Sequence, residues 1–219
     1  MTLEFWTVSG APSPWRVALA MAFKGLTYDM HMLSAARKEH KADAYLALNP
    51  RGTVPTLKAG DHTLGHSIAI LAWLDRMHPT PPLFGQTPED AATIWQRTME
   101  IFDHLPPATS GVLSPIFFDG ATRATDALHT AADTLRAELS YLSGLLADDP
   151  FLSGAHPGAA DAVAFPHVRL LQRAIDTNPQ LMQALRFSAL PADIAAWVTR
   201  IEALPGVEQT FPPHWSEAA

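Results

Sequence analysis

Cysteine is absent from the 219 residues. That removes disulfides, thiolate nucleophiles and cysteine-ligated metals, and leaves the redox compartment unspecified by cysteine usage. No apolar run approaches the roughly 18 residues of a membrane span, so a soluble chain without a membrane partner is expected. The opening MTLEFWTVSG has no basic stretch followed by a long apolar core. No secretory signal is therefore expected, and the location reads as cytoplasmic. An excess of positive charge is missing as well: the formal net charge is −7, which argues against a nucleic-acid partner. The ten histidines include no H-E-x-x-H pair and no zinc-type spacing, so no metal is expected. There is also no G-x-S-x-G elbow and no glycine loop of the kind that cradles phosphate.

What is present is a foldable chain. Hydrophobic residues make up 47% and charged residues 17%, a balance that excludes disorder. The nineteen prolines fall mostly at apparent element boundaries. LEFWTV (3–8) alternates and is rich in aromatic and β-branched types, which predicts a strand. SGAPSP is turn chemistry, and WRVALAMAFKGL carries a helical stripe closed by Gly25. TYDMHML predicts a second strand, and the polar segment that follows, closed by Asn49–Pro50, a short irregular helix. TVPTLKAG and HTLGHS flank Gly60–Asp61 as a hairpin. SIAILAWLDRMHP predicts a helix with Ser67 as its N-cap and Pro79 beyond its end.

The order is thus βαβαββα through residue 78, which favours a mixed sheet covered by helices. Residues 79–90 read as a Pro-rich linker, and 91–219 as all-helical. Helical patterns there recur at EDAATIWQRTMEIFDHL, RATDALHTAADTLRAELSYLSGLLA, AADAVAFPHVRLLQRAI and LPADIAAWVTRIEAL. No internal repeat is visible.

One short stretch is odd. RGTVPTL opens a strand with Val54–Pro55, although proline cannot donate to a sheet ladder. Backbone groups left free there can pair with an extended peptide, and the start of the following helix at Ser67 favours an anion such as a carboxylate. Each piece alone has an ordinary structural reading, a proline at a strand start and a capping serine.

Together, NPRGTVPTL, the hairpin, HSIAILAWL, the Pro-rich linker and the helical second half resemble the glutathione transferase superfamily over essentially the whole chain. FLSGAHPGAADAVAFP resembles that family's helix-start segment with Asp161 as its capping aspartate, and IEALPGVEQT its C-terminal helix ending. The resemblance implies a thioredoxin-like N-terminal domain, a helical-bundle C-terminal domain and a homodimer. It implies glutathione as co-substrate beside a hydrophobic pocket for an apolar electrophile. It also implies a cis Pro55, with Thr53 and Val54 in the glutathione site and the Val54 backbone on the cysteinyl part. Ser67 and the next N–H would hold the γ-glutamyl carboxylate. His40, or its neighbour Lys41, would meet the glycine carboxylate, as in theta-like members.

Two departures stand out. The family usually carries Glu or Asp before the serine as partner of the γ-glutamyl ammonium; here it is His66, which supplies no countercharge when neutral. The usual position of the thiolate-activating Ser or Cys holds Ala11. Ser9 and Ser13 flank it, and SPWRV resembles a zeta-like run that would bring Ser13 close. Either hydroxyl can stabilise a thiolate by donating to it; a turn N–H can do the same, and both serines also suit plain turn or cap roles. Arg16 can pair with a ligand carboxylate or serve structurally. Phe102, His104, Phe117 and Phe118 fall where the helical domain would wall the electrophile pocket, although aromatics at such spacing also suit plain core.

The expected function is glutathione conjugation to an apolar electrophile, in keeping with detoxification. The rivals are a non-catalytic binding or interaction protein of the same fold and a zeta-like glutathione-dependent isomerase.

Overall fold

A computed structural model describes residues 2–215. The alternating segment near the start forms strand β1 (Leu3–Thr7), and the turn after it feeds helix α1 (Pro12–Phe23). Strand β2 (Asp29–Met32) follows, then a 3-10 turn (Glu39–Lys41), the single-turn helix α2 (Asp43–Leu46), strands β3 (Thr56–Ala59) and β4 (His62–Gly65), and helix α3 (Ser67–Met77). This is the expected βαβαββα order. The sheet runs β2-β1-β3-β4. β1 pairs parallel with β2 and antiparallel with β3, which pairs antiparallel with β4. The parallel pair needs a crossover, and α1 supplies it.

The core of this sheet-and-helix unit is apolar: Phe5, Leu19, Met21, Leu57, Ile70, Leu71 and Leu74 are all but fully buried. Helix α1 ends on a Schellman motif, with Leu26 N–H donating to Met21 O at 2.9 Å and Gly25 N–H to Ala22 O at 2.9 Å. Gly25 takes the left-handed φ of 62° that this ending requires. Lys24 buries its ammonium group at the same corner. It donates to Asp75 Oδ1 at 3.0 Å and to the carbonyls of His78 and Pro81, both at 2.6 Å. All three ammonium protons are thus used, which is what burial of a lysine demands.

Ser67 departs from its expected capping role. It is the first residue of α3, and His66 occupies the N-cap with φ 79° and ψ 113°. A left-handed φ there turns the chain out of β4 within one residue.

The helical unit consists of α4 (Pro88–Phe117), α5 (Asp126–Leu145), α6 (Ala159–Thr177), α7 (Pro179–Ala184) and α8 (Ala192–Glu202). A Thr87–Asp90 capping box starts α4. The expected end at Leu105 is overrun by twelve residues. Pro106, Pro107 and Pro115 lie inside α4 and cannot donate to its ladder, yet its buried stripe continues through Ala108, Val112 and Ile116. Packing against α5 and α6 outweighs the lost donors. The short α7 was not anticipated.

Asp161, fully buried in the first turn of α6, accepts from Leu152 N (2.8 Å), Ser153 N (3.1 Å), Gly158 N (3.0 Å) and Trp197 Nε1 (2.8 Å). This is the capping role its place in the sequence implied. Burial pushes its carboxyl above the usual range, against the pull of those donors.

By compactness the chain divides into residues through Gln86 together with those from Ala203 on, and Thr87–Glu202. The chain end, which the sequence reading includes in the helical part, thus groups with the sheet. Trp15 is the reason: its Nε1 donates to Thr210 Oγ1 at 2.9 Å, and its ring meets Phe211 and Trp215 edge-on at 5.3 and 5.2 Å.

Candidate functional site

Sheet register determines what meets at the working end of the first unit. Trp6 pairs with Thr56, and Thr56 with Gly65. The turn after β1 (Ser9, Gly10, Ala11), the segment before β3 (Thr53, Val54, Pro55) and the residues after β4 (His66, Ser67) therefore leave the sheet at one end.

Val54–Pro55 is cis. Sheet pairing begins only at Thr56, so the ladder claims neither the N–H nor the C=O of Val54, which is half-buried. Just before it, the Thr53 carbonyl accepts from Tyr45 Oη at 2.7 Å and Asn49 Nδ2 at 2.8 Å. Tyr45 Oη also meets Thr56 Oγ1 at 2.8 Å, and burial pushes its phenol upward. Thr53 is thus held by its carbonyl while its side chain is exposed. Tyr45 and Asn49 form the frame of this loop. Sequence reasoning passed over Tyr45 and read Asn49 only as the turn residue, with Pro50, that closes the polar segment.

Gly52, one residue earlier, has φ 56°, and a Cβ there would lie 2.8 Å from His40 O and 2.9 Å from Leu46 Cδ2. That close approach seats His40 against the loop. His40 is half-buried, and its Nδ1 is buried with no hydrogen-bond partner among the described residues. Its rival Lys41 is committed elsewhere, donating to Gly52 O at 2.7 Å and Arg51 O at 3.4 Å.

Ser67 is buried, and its Oγ accepts from Arg16 Nη1 at 3.4 Å. Arg16 lies under the site, its guanidinium held down to about 10 by burial. His66 is exposed. Leading α3, Ser67 and Ile68 present first-turn N–H groups that no helix carbonyl can serve.

At the β1–α1 turn, Ala11 N–H is spent on Val8 O at 3.2 Å, and Trp15 N–H on Ala11 O at 3.2 Å. Pro12 and Pro14 have no N–H, so Ser13 carries the one amide proton among the first three positions of α1. Ser9 Oγ lies 2.8 Å from His214 Nδ1. Ser9, Gly10, Ala11 and Trp15 line a pocket whose other wall includes Thr210, Phe211, Pro212 and Pro213; Ser13 is not among its lining residues. The part played by His214 was missed, and 205 residues of separation leave no local signal for it.

Three of the four electrophile-pocket candidates lie in α4 and Phe118 is its C-cap, and the helix does not bring the four together. Phe102 and His104 are two residues apart, hence about 200° apart around the axis. By the same rotation Phe102 shares a side with Phe117, and His104 with Phe118. Phe118 is 85% exposed at the C-cap. Among the described residues no group of three His, Cys, Asp or Glu is placed to hold a metal, and no helix is long and apolar enough to cross a membrane.

Comparison with known proteins adds an independent line. The chain matches the family model described as glutathione S-transferase, N-terminal domain, over residues 11–77, and the corresponding C-terminal domain over residues 119–200. It is 30% identical to glutathione S-transferase theta-1 of Bos taurus over 201 residues, covering 88% of this chain and 80% of that protein. A maleylacetoacetate isomerase of Pseudomonas aeruginosa is 26% identical over 216 residues, 96% of each. Among solved structures, a glutathione S-transferase from the Antarctic clam Laternula elliptica superposes with a TM-score of 0.82 at 27% identity, covering 99% of this chain and 95% of that one.

Proposed function

Because this chain belongs to the cytosolic glutathione transferase superfamily, we propose that it binds glutathione at the common end of β1, β3 and β4 and joins the glutathione thiolate to an apolar electrophile. The observation that carries this reading is the convergence there of the unpaired Val54 backbone before a cis Pro55 and the open N–H groups that start α3. Val54 pairs with the cysteinyl amide of an extended tripeptide. The N–H groups of Ser67 and Ile68, with the Ser67 hydroxyl, hold the γ-glutamyl carboxylate. His40 takes the glycine carboxylate, as the family resemblance implies.

In the reaction the thiol first loses its proton to solvent. The sulfur then forms a bond to an electron-poor carbon of the electrophile, whose leaving group departs with the displaced electron pair. The protein contributes by lowering the thiol pKa and orienting both reactants. Ser9 and Ser13 are the hydroxyls available for that task. We assign a dimeric, cytoplasmic, detoxifying enzyme on the same family grounds, with Phe102, His104, Phe117 and Phe118 as candidates for contact with the electrophile.

Titration calorimetry with glutathione at pH 7, followed by an ultraviolet scan for the bound thiolate, tests the reading. Micromolar to low-millimolar binding with a thiolate band supports it. No binding at several millimolar refutes it and leaves a non-catalytic member of the fold, for which Ala11 and His66 are the best evidence. His66→Glu then discriminates further, since supplying the absent countercharge to the γ-glutamyl ammonium should tighten binding.

A second reading has its own support. SPWRV at 13–17 and the end-to-end similarity to a maleylacetoacetate isomerase favour glutathione-dependent cis–trans isomerisation of an unsaturated diketo acid. In that reaction the thiolate adds to the double bond and later leaves. Turnover of such a substrate with no net consumption of glutathione would select it over conjugation.

A further inference from the structure

The contact between Ser9 and His214 joins the turn after β1 to the chain end, and nothing in the glutathione site described above requires it. The imidazole is fitted to this place. Gly10 has φ 77°, and a Cβ on it would stand 3.1 Å from His214 Cε1, so the ring packs closely against this glycine and a side chain there would press on it. The segment carrying His214 is fastened on both sides, by Thr210 on Trp15 Nε1 and by the Phe211 and Trp215 rings against Trp15. Ser9 itself lines the pocket beside Ala11, the position where the family resemblance leads one to expect a donor and alanine supplies none.

A serine hydroxyl carries one proton, and the Oγ–Nδ1 contact of 2.8 Å can form in two senses. If the hydroxyl donates to Nδ1, its proton is consumed. If Nδ1–H donates to Oγ, the hydroxyl proton is free to point into the pocket. A thiolate accepts but cannot donate, so its arrival favours the second arrangement. We propose that His214 is the positioning partner of Ser9: its Nδ1–H holds the Ser9 oxygen and turns the hydroxyl proton toward the glutathione sulfur. The inference rests on the glutathione reading above and chooses Ser9 over Ser13. No proton passes to or from the substrate through His214; its role is to fix the direction of one hydrogen bond.

The test is a pH titration of the ultraviolet thiolate band in the enzyme–glutathione complex, with the dissociation constant followed by calorimetry. Ser9→Ala should raise the pH at which the bound thiol ionises by about one unit, the worth of one hydrogen bond to a charged acceptor. His214→Leu should raise it in the same direction. His214→Asn, whose amide places an N–H near the Nδ1 position, should restore most of the loss. The double variant Ser9→Ala/His214→Leu should ionise no higher than Ser9→Ala alone, because the second change has nothing left to orient. Circular dichroism, and a dissociation constant unchanged at a pH below the wild-type ionisation where glutathione binds as the thiol, separate this effect from misfolding, and the Asn variant keeps the test sharp should the Leu variant fold poorly. An unmoved ionisation in either single variant overturns the proposal, as does an additive double variant. Failure of the wild-type protein to bind glutathione is a different outcome, and it overturns the functional reading along with this one.

Discussion

Replacing Asp161 by Asn changes one oxygen to an NH2 group and almost nothing in volume, so its effect isolates the hydrogen bonding. Two donors converge on each carboxylate oxygen: Leu152 N and Trp197 Nε1 on Oδ1, Ser153 N and Gly158 N on Oδ2. Whichever way the amide is turned, it keeps two of these bonds and sets its own N–H groups against the other two donors. Hydrogen bonds to a charged acceptor are worth about 1.5–3 kcal/mol each, and a buried donor left unsatisfied costs about 1–3 kcal/mol. The loss falls short of a simple sum because ionisation of this carboxyl in a fully buried site itself works against folding, as its raised pKa states. A net destabilisation of about 3–4 kcal/mol results, in the range for breaking a buried charged network. Urea unfolding followed by tryptophan fluorescence suits the measurement, since the Trp197 ring is buried and bonded at the site. With an m-value of about 2–3 kcal/mol per molar urea, the midpoint should fall by about 1 M or more. A loss below about 1 kcal/mol would refute the reasoning, since no such tolerance is compatible with two buried donors facing an NH2.

Three further outcomes are expected. Lys24→Met leaves the His78 and Pro81 carbonyls without their ammonium donor and takes the countercharge from Asp75, which keeps the Leu83 N–H at 2.6 Å; it should cost about 3 kcal/mol in the same assay. Gly52→Ala would force a Cβ to within 2.8 Å of the His40 carbonyl at a left-handed φ of 56°; it should destabilise by about 1–3 kcal/mol and weaken glutathione binding through the His40 loop, read by calorimetry. The Glu4 carboxyl is held below its ordinary value chiefly by a hydrogen bond from Lys58 Nζ at 3.1 Å. Its contribution to stability is therefore present above the unfolded pKa and disappears as pH falls through the lowered one; Lys58→Met should move the Glu4 titration upward in an NMR pH series.

Local chemistry was the part of this fold that could be read in advance. LEFWT alternates and Gly25 closes a helix, because each signal is complete within a few residues, while the family resemblance places Asp161 at a helix start. The odd proline at 55 is likewise a local signal, since its neighbours form one short loop. Where tertiary packing decides, the reading failed. The helix expected to stop before Pro106 continues to Phe117 because its buried face does. Ser67 looked like a cap by composition, but the tight exit from β4 puts His66 in that place and turns Ser67 inward to Arg16. His214 could not be read at all, since its partner is determined by where the chain end returns.

Trp15 also has a consequence for how the molecule comes into being. It is made well before the groups that enclose it, Thr210, Phe211 and Trp215, which are synthesised roughly two hundred residues later. At ribosomal rates of about 5–20 residues per second, the indole waits on the order of ten seconds or more for its neighbours. During that interval the sheet unit is a nascent chain whose Trp15 lacks these neighbours. A ribosome stalled after the sheet unit has emerged but before residue 210 would leave Trp15 without them for as long as the stall lasts.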